Sequence, residues 1–253
     1  MVNKQKSRFA FKISLIALII ASILLLTYCG TSFFKKEKAD KTRSEAYTPI
    51  DLNSSTLPQN PINFDSLKKS NEDIHGWIKI DNTNVDYPIV QSYVEDDSFY
   101  LNHNIEKKYD INGAIYTEKH NATDFSDPNT VIYGHDMLDG SMFRTLHKFS
   151  DKKFFDKNEF IYIYTPGHIL KYRIFAAYKW DDRHILNSYD LSDEQVFADY
   201  IEEIKNPKSL MVNTRKTELT TSDKIITLST CIGNEKNYRY LVQGVLIDDT
   251  RTQ

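Results

Sequence analysis

The sequence predicts a mainly β domain that closes as an eight-stranded antiparallel barrel. From residue 76 onward, about eight or nine short runs carry the apolar or alternating pattern of strands, and clusters of Gly, Asn and Asp-Pro separate them. Few helical patterns interrupt the series. Closure removes the unpaired edges that an open sheet of short strands would expose, so this number of strands favours a barrel.

A membrane anchor is predicted before the domain. Residues 13–34 carry no charged side chain and are rich in Ile, Leu and Ala, and a helix of that length, at about 1.5 Å per residue, can cross about 30 Å of hydrocarbon. Basic residues in segment 1–12 favour a cytoplasmic N-terminus and an extracellular domain, as in a single-pass protein of the cell membrane. A cleaved signal peptide is one alternative, and Cys29 in LLTYCG raises a lipoprotein as another.

Residues 35–62 predict an extracellular linker, because they are polar, contain three prolines and show no sustained periodicity. The domain is predicted to span residues 63–253. It opens with a short helix over 63–72, in which Phe64 and Leu67 have helical spacing. The net charge of −3 and the lack of a basic cluster in the sequence give no reason to expect nucleic-acid binding.

Strand-like runs then follow in chain order. They are residues 77–80, 85–90, 99–101, 114–117, 130–133, 160–164, 169–180, 224–231 and 238–247. A short helix is predicted over 141–149. A longer insertion, 181–210, carries the amphipathic pattern LSDEQVFADYIEEIKN between the strands that end at Trp180 and Cys231.

Cys231 and Arg239 stand at the facing ends of the last two predicted strands. Gly233, Asn234 and Asn237 favour a turn between them, and a turn centred near residue 235 places position 231 opposite position 239. A guanidinium beside a thiol favours the nucleophilic thiolate, and it can also donate to a carbonyl oxygen that becomes negative during attack. The alternative is a buried structural cysteine beside a surface arginine.

The cysteine count favours a reactive thiol. Cys29 and Cys231 are the only cysteines in the sequence, and Cys29 lies in the predicted anchor, so the domain has no partner for an internal disulfide. One cysteine and scattered histidines offer no metal-ligand spacing such as C-x-x-C. Neither a metal nor a cofactor is therefore expected.

His135 is the histidine that its context selects among seven. It follows TVIYG at the end of a predicted strand, where Gly134 is expected to let the backbone turn sharply and leave the imidazole on an exposed rim. No acid is expected to orient this ring, because Asp136 points away from it if the strand continues. The predicted site is therefore Cys-His-Arg.

Several segments resemble class B sortases, the cell-wall transpeptidases of Gram-positive bacteria. They are TLSTC with an arginine eight residues after its cysteine in YRYLV, NTVIYGHDM, GWIKIDNTNVDYPIVQ, DDSFYLNHN and GAIYTE, and the resemblance covers about residues 63–248. It implies a sortase-type barrel with an N-terminal helix and a helix-bearing loop between strands 6 and 7. It also implies catalytic roles for His135, Cys231 and Arg239. The substrate contacts that it implies are Leu101, Tyr133, Ile185 and Ser229.

The same resemblance implies a membrane-anchored cysteine transpeptidase. Such an enzyme cleaves a C-terminal sorting signal of the NPxTN or (S/N)PxTG type after threonine, holds the protein as a cysteine thioester, and transfers it to an amine of a peptidoglycan precursor or cross-bridge. Surface proteins with that signal, peptidoglycan and the membrane are thus the expected partners. Three alternatives stay open: a class B pilin polymerase, a cysteine endopeptidase and a non-enzymatic tethered binding domain.

Overall fold

The computed structural model describes residues 2–47, 57–233 and 235–253, with only the backbone for residues 2–17. The chain divides into two compact units, residues 1–45 and 46–253. Three parts of the sequence-based scheme lie outside the described residues: Met1, positions 48–56 of the predicted linker, and Asn234 of the predicted turn.

The N-terminal unit is helical. Helix α1 spans Val2–Ala46, which includes the predicted anchor and continues into the first part of the predicted linker. From Leu18 onward it is long and apolar enough to cross a membrane, judged by length and composition. Leu24 and Leu26 are 64% and 71% exposed, as side chains that face lipid would be, so the helix is consistent with a single-pass anchor.

The second unit is a closed barrel. Its described strands are β1 (Ile74–Lys79), β2 (Asp86–Val90), β3 (Ile115–Tyr116), β4 (Asn129–Tyr133), β5 (Phe160–Thr165), β6 (His168–Asp181), β7 (Val212–Thr214), β8 (Ile225–Cys231) and β9 (Tyr238–Arg251). Their order in the sheet is β5-β1-β2-β3-β4-β8-β9-β6-β7, and the pairing of β5 with β6 closes the first eight into a ring. Strand β7 lies beside β6, outside the ring. The predicted eight-stranded closed barrel is thus confirmed.

One detail of the predicted barrel was wrong, because the pairing is mixed and not wholly antiparallel. Strand β2 pairs with β3 in parallel, and β4 pairs with β8 in parallel from Asn129 opposite Ile225 to Tyr133 opposite Ser229. Parallel neighbours need a long crossover, which segments 91–114 and 134–224 supply. The alternation of side chains along a strand is the same in both directions, so it carries no information on this point.

The main apolar core lies inside the ring, where strands from all sides contribute side chains. Along β8, Ile226 and Leu228 join this core, whereas Ile225, on the opposite face, joins a second cluster outside the ring. A 3₁₀ segment, Arg144–Ser150, contributes Leu146 to the inner core. The two faces of one strand are therefore both covered by apolar packing.

Two short predicted elements differ in the structure. Residues 99–101, predicted as a strand, form a 3₁₀ turn, in which the Leu101 N–H donates to the Ser98 carbonyl. The helix predicted over 141–149 is the 3₁₀ segment Arg144–Ser150, followed by helix α3 (Lys152–Lys157). By contrast, the helix predicted at the start of the domain is present as α2 (Phe64–Ser70), and the Asn63 side chain caps it by accepting from the Ser66 N–H.

The long insertion carries two helices, α4 (Ile185–Ser188) and α5 (Glu194–Lys205). Helix α5 starts after Asp193, whose carboxylate accepts the N–H groups of Gln195 and Val196. Its buried face consists of Phe197, Tyr200, Ile201 and Ile204. The predicted helix-bearing loop is confirmed, and the chain that connects β6 with β8 contains this insertion followed by the short β7.

A buried polar network fixes this insertion to the barrel. The Gln243 side chain, which is fully buried on β9, donates to the Tyr200 hydroxyl of α5 at 3.1 Å and to the Thr227 hydroxyl of β8 at 2.9 Å. Thr227 donates in turn to the Asn129 side-chain oxygen of β4 at 2.8 Å. Buried polar groups are costly unless they are paired, so this network specifies where α5 sits against the sheet.

Candidate active site

The parallel pairing of β4 with β8 brings two predicted site residues to one rim of the barrel. Tyr133 and Ser229 are register partners, and the next residue on the β4 side, Gly134, donates its N–H to the Ser229 carbonyl at 3.2 Å. His135 lies two positions after Tyr133, and Cys231 lies two positions after Ser229. Because parallel strands run in the same direction, the imidazole and the thiol emerge at the same edge of the sheet.

Gly134 is required by close packing. A Cβ atom at this position would lie 2.5 Å from Ile115 Cδ1 and 2.7 Å from Phe143 Cγ, which is far inside van der Waals contact. Gly134 is not among the residues with positive φ, so its role here follows from close packing and not from a left-handed backbone. The glycine instead lets β4 end tightly against the core, which places His135 at the rim.

Cys231 and Arg239 are directly opposite each other on β8 and β9, as the turn length predicted. Cys231 is a free and exposed cysteine. The Arg239 guanidinium donates from Nη1 to the backbone carbonyls of Lys236 and Tyr238, both at 3.0 Å. These bonds anchor the arginine by one nitrogen to the hairpin that carries the cysteine.

His135 is held by one ring nitrogen. Its Nε2 lies 2.6 Å from the backbone carbonyl of Leu101, in the 3₁₀ turn before β3. A carbonyl oxygen can only accept, so Nε2 carries a proton in this contact. Nδ1 is therefore the nitrogen whose protonation can change while the ring keeps its position.

Asp136 ties the loop after His135 to the loop after Cys231. Its carboxylate, 3% exposed, accepts two bonds from Arg144 Nη1 at 2.8 and 2.9 Å and one from the Gly233 N–H at 3.0 Å. His147 extends this link, because its Nε2 lies 3.5 Å from Asp136 and donates to the Cys231 carbonyl at 3.1 Å. These contacts set the course of the backbone around the cysteine.

One cleft of about 220 Å³ collects every predicted catalytic and substrate-contact residue. The predicted residues in its lining are Leu101, Tyr133, His135, Ile185, Ser229, Cys231 and Arg239. The structure thus brings together residues from β4, β8, β9, the 3₁₀ turn and the insertion. Their catalytic and substrate-binding roles stay predictions.

The cleft also contains residues that the sequence analysis missed. They are Tyr116, Trp180, Asp182, Arg183, His184, Thr230 and Leu241. Trp180 and the three residues at 182–184 stand where a predicted strand enters the insertion, and loops at strand ends are where functional residues concentrate. That position was the signal that could have identified them.

Two stacked tyrosines form part of the cleft wall. The rings of Tyr116 and Tyr133 lie 5.4 Å apart between centroids. Burial raises the pKa of both phenols, and the nearby Glu118 carboxylate raises each further. Both therefore stay neutral and offer an aromatic surface with hydroxyl groups.

Among the described residues, no three His, Cys, Asp or Glu side chains are grouped so as to hold a metal ion.

Comparison of the sequence and the fold with known proteins identifies the family of this chain. The family model described as a sortase domain matches residues 78–247. The Sortase B of Listeria monocytogenes is 37% identical over 186 residues, which make up 72% of this chain and 72% of that one.

Solved structures agree with the sequence relatives. The X-ray structure of Clostridium perfringens sortase B superposes with a TM-score of 0.66 at 32% identity and covers 74% of this chain and 100% of that one. A Staphylococcus aureus sortase B–substrate complex gives a TM-score of 0.63 at 29% identity and covers 73% of this chain and 84% of that one. These relatives are class B sortases, and the chain belongs to the sortase family of cysteine transpeptidases.

Proposed function

We propose that this protein is a membrane-anchored sortase that cleaves a C-terminal sorting signal and transfers the cleaved protein to a peptidoglycan amine. The observation that carries the proposal is the meeting of Cys231, His135 and Arg239 in one cleft. A nucleophile, a group that exchanges protons and a donor to the oxyanion can together carry out acyl transfer.

In the first half-reaction, Cys231 Sγ gives its proton to His135 Nδ1 and attacks the carbonyl carbon of the signal's threonine. The carbonyl oxygen becomes negative, and the Arg239 guanidinium, anchored through Nη1, donates to it. The C–N bond then breaks, and the departing amine takes a proton from His135 Nδ1, since Nε2 is engaged with Leu101. The product of this step is a thioester between Cys231 and threonine.

In the second half-reaction, an amine of a peptidoglycan precursor or cross-bridge attacks the thioester carbonyl. His135 Nδ1 takes the proton that this amine loses, and the Cys231 sulfur leaves as the thiolate. A new amide bond joins the surface protein to the wall. The same groups act in reverse order, so one proton-exchanging histidine serves both steps.

The signal is proposed to be of the NPxTN or (S/N)PxTG type, and Leu101, Tyr133, Ile185 and Ser229 are proposed to contact it. Leu101 is 43% exposed, whereas Ile185 and Ser229 are largely buried, so the cleft offers both an accessible apolar edge and a covered floor. The Staphylococcus aureus sortase B of similar fold has been solved with a substrate, which supports a substrate cleft here.

The proposed topology divides the chain into a cytoplasmic segment (1–12), a transmembrane anchor (13–34), an extracellular linker (35–62) and a catalytic domain (63–253). One apolar helix supports an anchor, and the basic residues before it support the orientation. Protease added to intact protoplasts should therefore digest the region after Lys35. Protection of that region until the membrane is opened would contradict this orientation.

The proposed function predicts a covalent intermediate on Cys231. Incubation with peptides of the NPxTN and (S/N)PxTG types should add the mass of the N-terminal cleavage fragment to the protein, and added triglycine should release that fragment as an amide. Cys231→Ala should form no adduct, because it removes the only sulfur in the cleft. Cys29→Ala is the matched control and should react normally. Release of free acid alone in the presence of triglycine would indicate an endopeptidase instead.

His135 and His147 should fail differently, although both lie near Cys231. His135→Ala should lower peptide cleavage by about 100- to 10,000-fold, since a general acid–base is lost. His147→Ala removes one hydrogen bond to the Cys231 carbonyl and should cost less than about tenfold. Steady-state kinetics with matched melting curves measure both. Equal losses in the two variants would refute the assignment of His135.

Arg239→Ala should lower the turnover rate about 100- to 1000-fold, because it removes a donor to the developing oxyanion. Arg239→Lys should recover only part of this rate, since an ammonium lacks the planar fork of the guanidinium. Circular dichroism establishes that each variant is folded, and kcat is the quantity to compare. Near-full turnover in a folded Arg239→Ala variant would exclude the arginine from the reaction.

A further inference from the structure

A second histidine of the cleft, His184, makes a bond that links the insertion to the barrel. Its Nε2 donates to the Glu118 carboxylate at 2.6 Å. Glu118 follows β3 by two residues, whereas His184 immediately precedes α4 in the insertion. This pair, called here the Glu118–His184 latch, therefore joins two segments 66 residues apart in sequence.

The barrel side of the latch is held firmly. The backbone carbonyl of Glu118 accepts from the buried Gln91 side chain at 2.8 Å, and the same amide donates to the Asn121 carbonyl at 2.9 Å. The Glu118 side chain is only 12% exposed. Burial raises the pKa of the Glu118 carboxyl, and the adjacent His184 opposes that shift. A carboxylate in such surroundings needs a close donor, which His184 supplies.

The insertion side of the latch depends on His184. Helix α4 has four residues, too few to be stable without outside support. His184 caps it, because its Nδ1 accepts the Asn187 N–H at 3.2 Å. Both ring nitrogens are therefore used by the protein, Nδ1 as acceptor and Nε2 as donor.

The position that the latch fixes belongs to the cleft. Ile185, the first residue of α4, and His184 both line the cleft that contains Cys231. The groups that face the pair are His120, whose Nδ1 lies 4.0 Å from the Glu118 carboxylate, Asp97 beyond it, and Tyr133, whose ring lies 6.2 Å from that of His184. Of these contacts, the bond of 2.6 Å is the hydrogen bond between the insertion and the barrel, and the rings of Tyr133 and His120 lie beside the His184 ring.

We propose that the Glu118–His184 latch is a positioning device that holds Ile185 in place as a wall of the substrate cleft and so sets how tightly the sorting-signal peptide binds. The proposal rests on the proposed function of the cleft. Neither latch residue reaches the reacting atoms in this scheme, so both act through Ile185. A wall that contacts the peptide equally before and during the reaction affects KM and leaves kcat unchanged.

The test is a double-mutant cycle on the full chain in detergent, with quenched-fluorescent NPATN and SPATG peptides as probes. Glu118→Ala removes the acceptor, and His184→Asn keeps a side chain that caps helices while it is too short to reach Glu118. Each should raise KM about tenfold, the size expected for loss of one hydrogen bond to a charged group, with kcat within about twofold of the parent. The double variant should also show about tenfold, because both changes break the same bond.

Three companion measurements keep the outcome unambiguous. Glu118→Gln should keep most of the affinity, since its amide oxygen still accepts from His184. His120→Ala is the matched control at the same carboxylate and should stay within about twofold of the parent KM. Alkylation of Cys231 by iodoacetamide should proceed at the parental rate in every variant, which would show that the nucleophile is undisturbed.

Several results would overturn the latch. They are an unchanged KM in Glu118→Ala, a fall in kcat without a rise in KM, or a double variant whose KM rises about 100-fold as independent sites would predict. If the parent protein formed a thioester with neither peptide, the proposed sortase function would be refuted, and the positioning role of the latch would be refuted with it. If the parent turned over normally and both single variants kept the parental KM, only the positioning role of the latch would be refuted, and the proposed function would stand.

Discussion

The parallel pairing of β4 with β8 is the constraint on which the cleft depends. It sets Tyr133 beside Ser229, so His135, just after β4, and Cys231, the last residue of β8, are carried to the same rim. An antiparallel pairing would have sent the two strand ends to opposite edges of the sheet. Parallel neighbours must be joined by a long crossover, and here that crossover contains β5, β6 and the insertion. The connection that makes the pairing parallel therefore also supplies the wall of the cleft.

Sequence patterns predicted the parts of this arrangement that are local. The position of Cys231 opposite Arg239 followed from turn length alone, because a hairpin fixes its own register over a few residues. The amphipathic helix of the insertion was equally visible, since burial of one face imposes a period of 3.6 residues. The turn at 99–101 was predicted as a strand because three apolar residues in a row satisfy either structure, and only the contacts of Tyr100 with the core decide between them.

Direction of pairing and choice of histidine could not be predicted from residue patterns. Periodicity reports which face of a strand is buried, and not which neighbour it pairs with. The choice of His135 came from context and from resemblance, whereas the structure separates the histidines by their hydrogen bonds. His135 is held by one nitrogen to a carbonyl, His147 donates to the Cys231 carbonyl beside Asp136, and His184 uses both nitrogens. These differences arise from partners distant in sequence, so no local motif encodes them.

An exposed cysteine that is proposed as a nucleophile at the end of a hairpin presents a physical problem, because strand ends fray and a mobile sulfur attacks poorly. Here the loop after Cys231 is fixed at two points. The Gly233 N–H is bound by the buried Asp136 carboxylate, and the carbonyls of Lys236 and Tyr238 are bound by Arg239. Asp136, the residue after His135, thus binds the loop that follows Cys231. Asp136 and His135 are adjacent in sequence, so the segment that carries the histidine resists any movement of the loop after Cys231. The imidazole of His135 and the thiol of Cys231 therefore keep a fixed relative position, while the sulfur stays open to solvent.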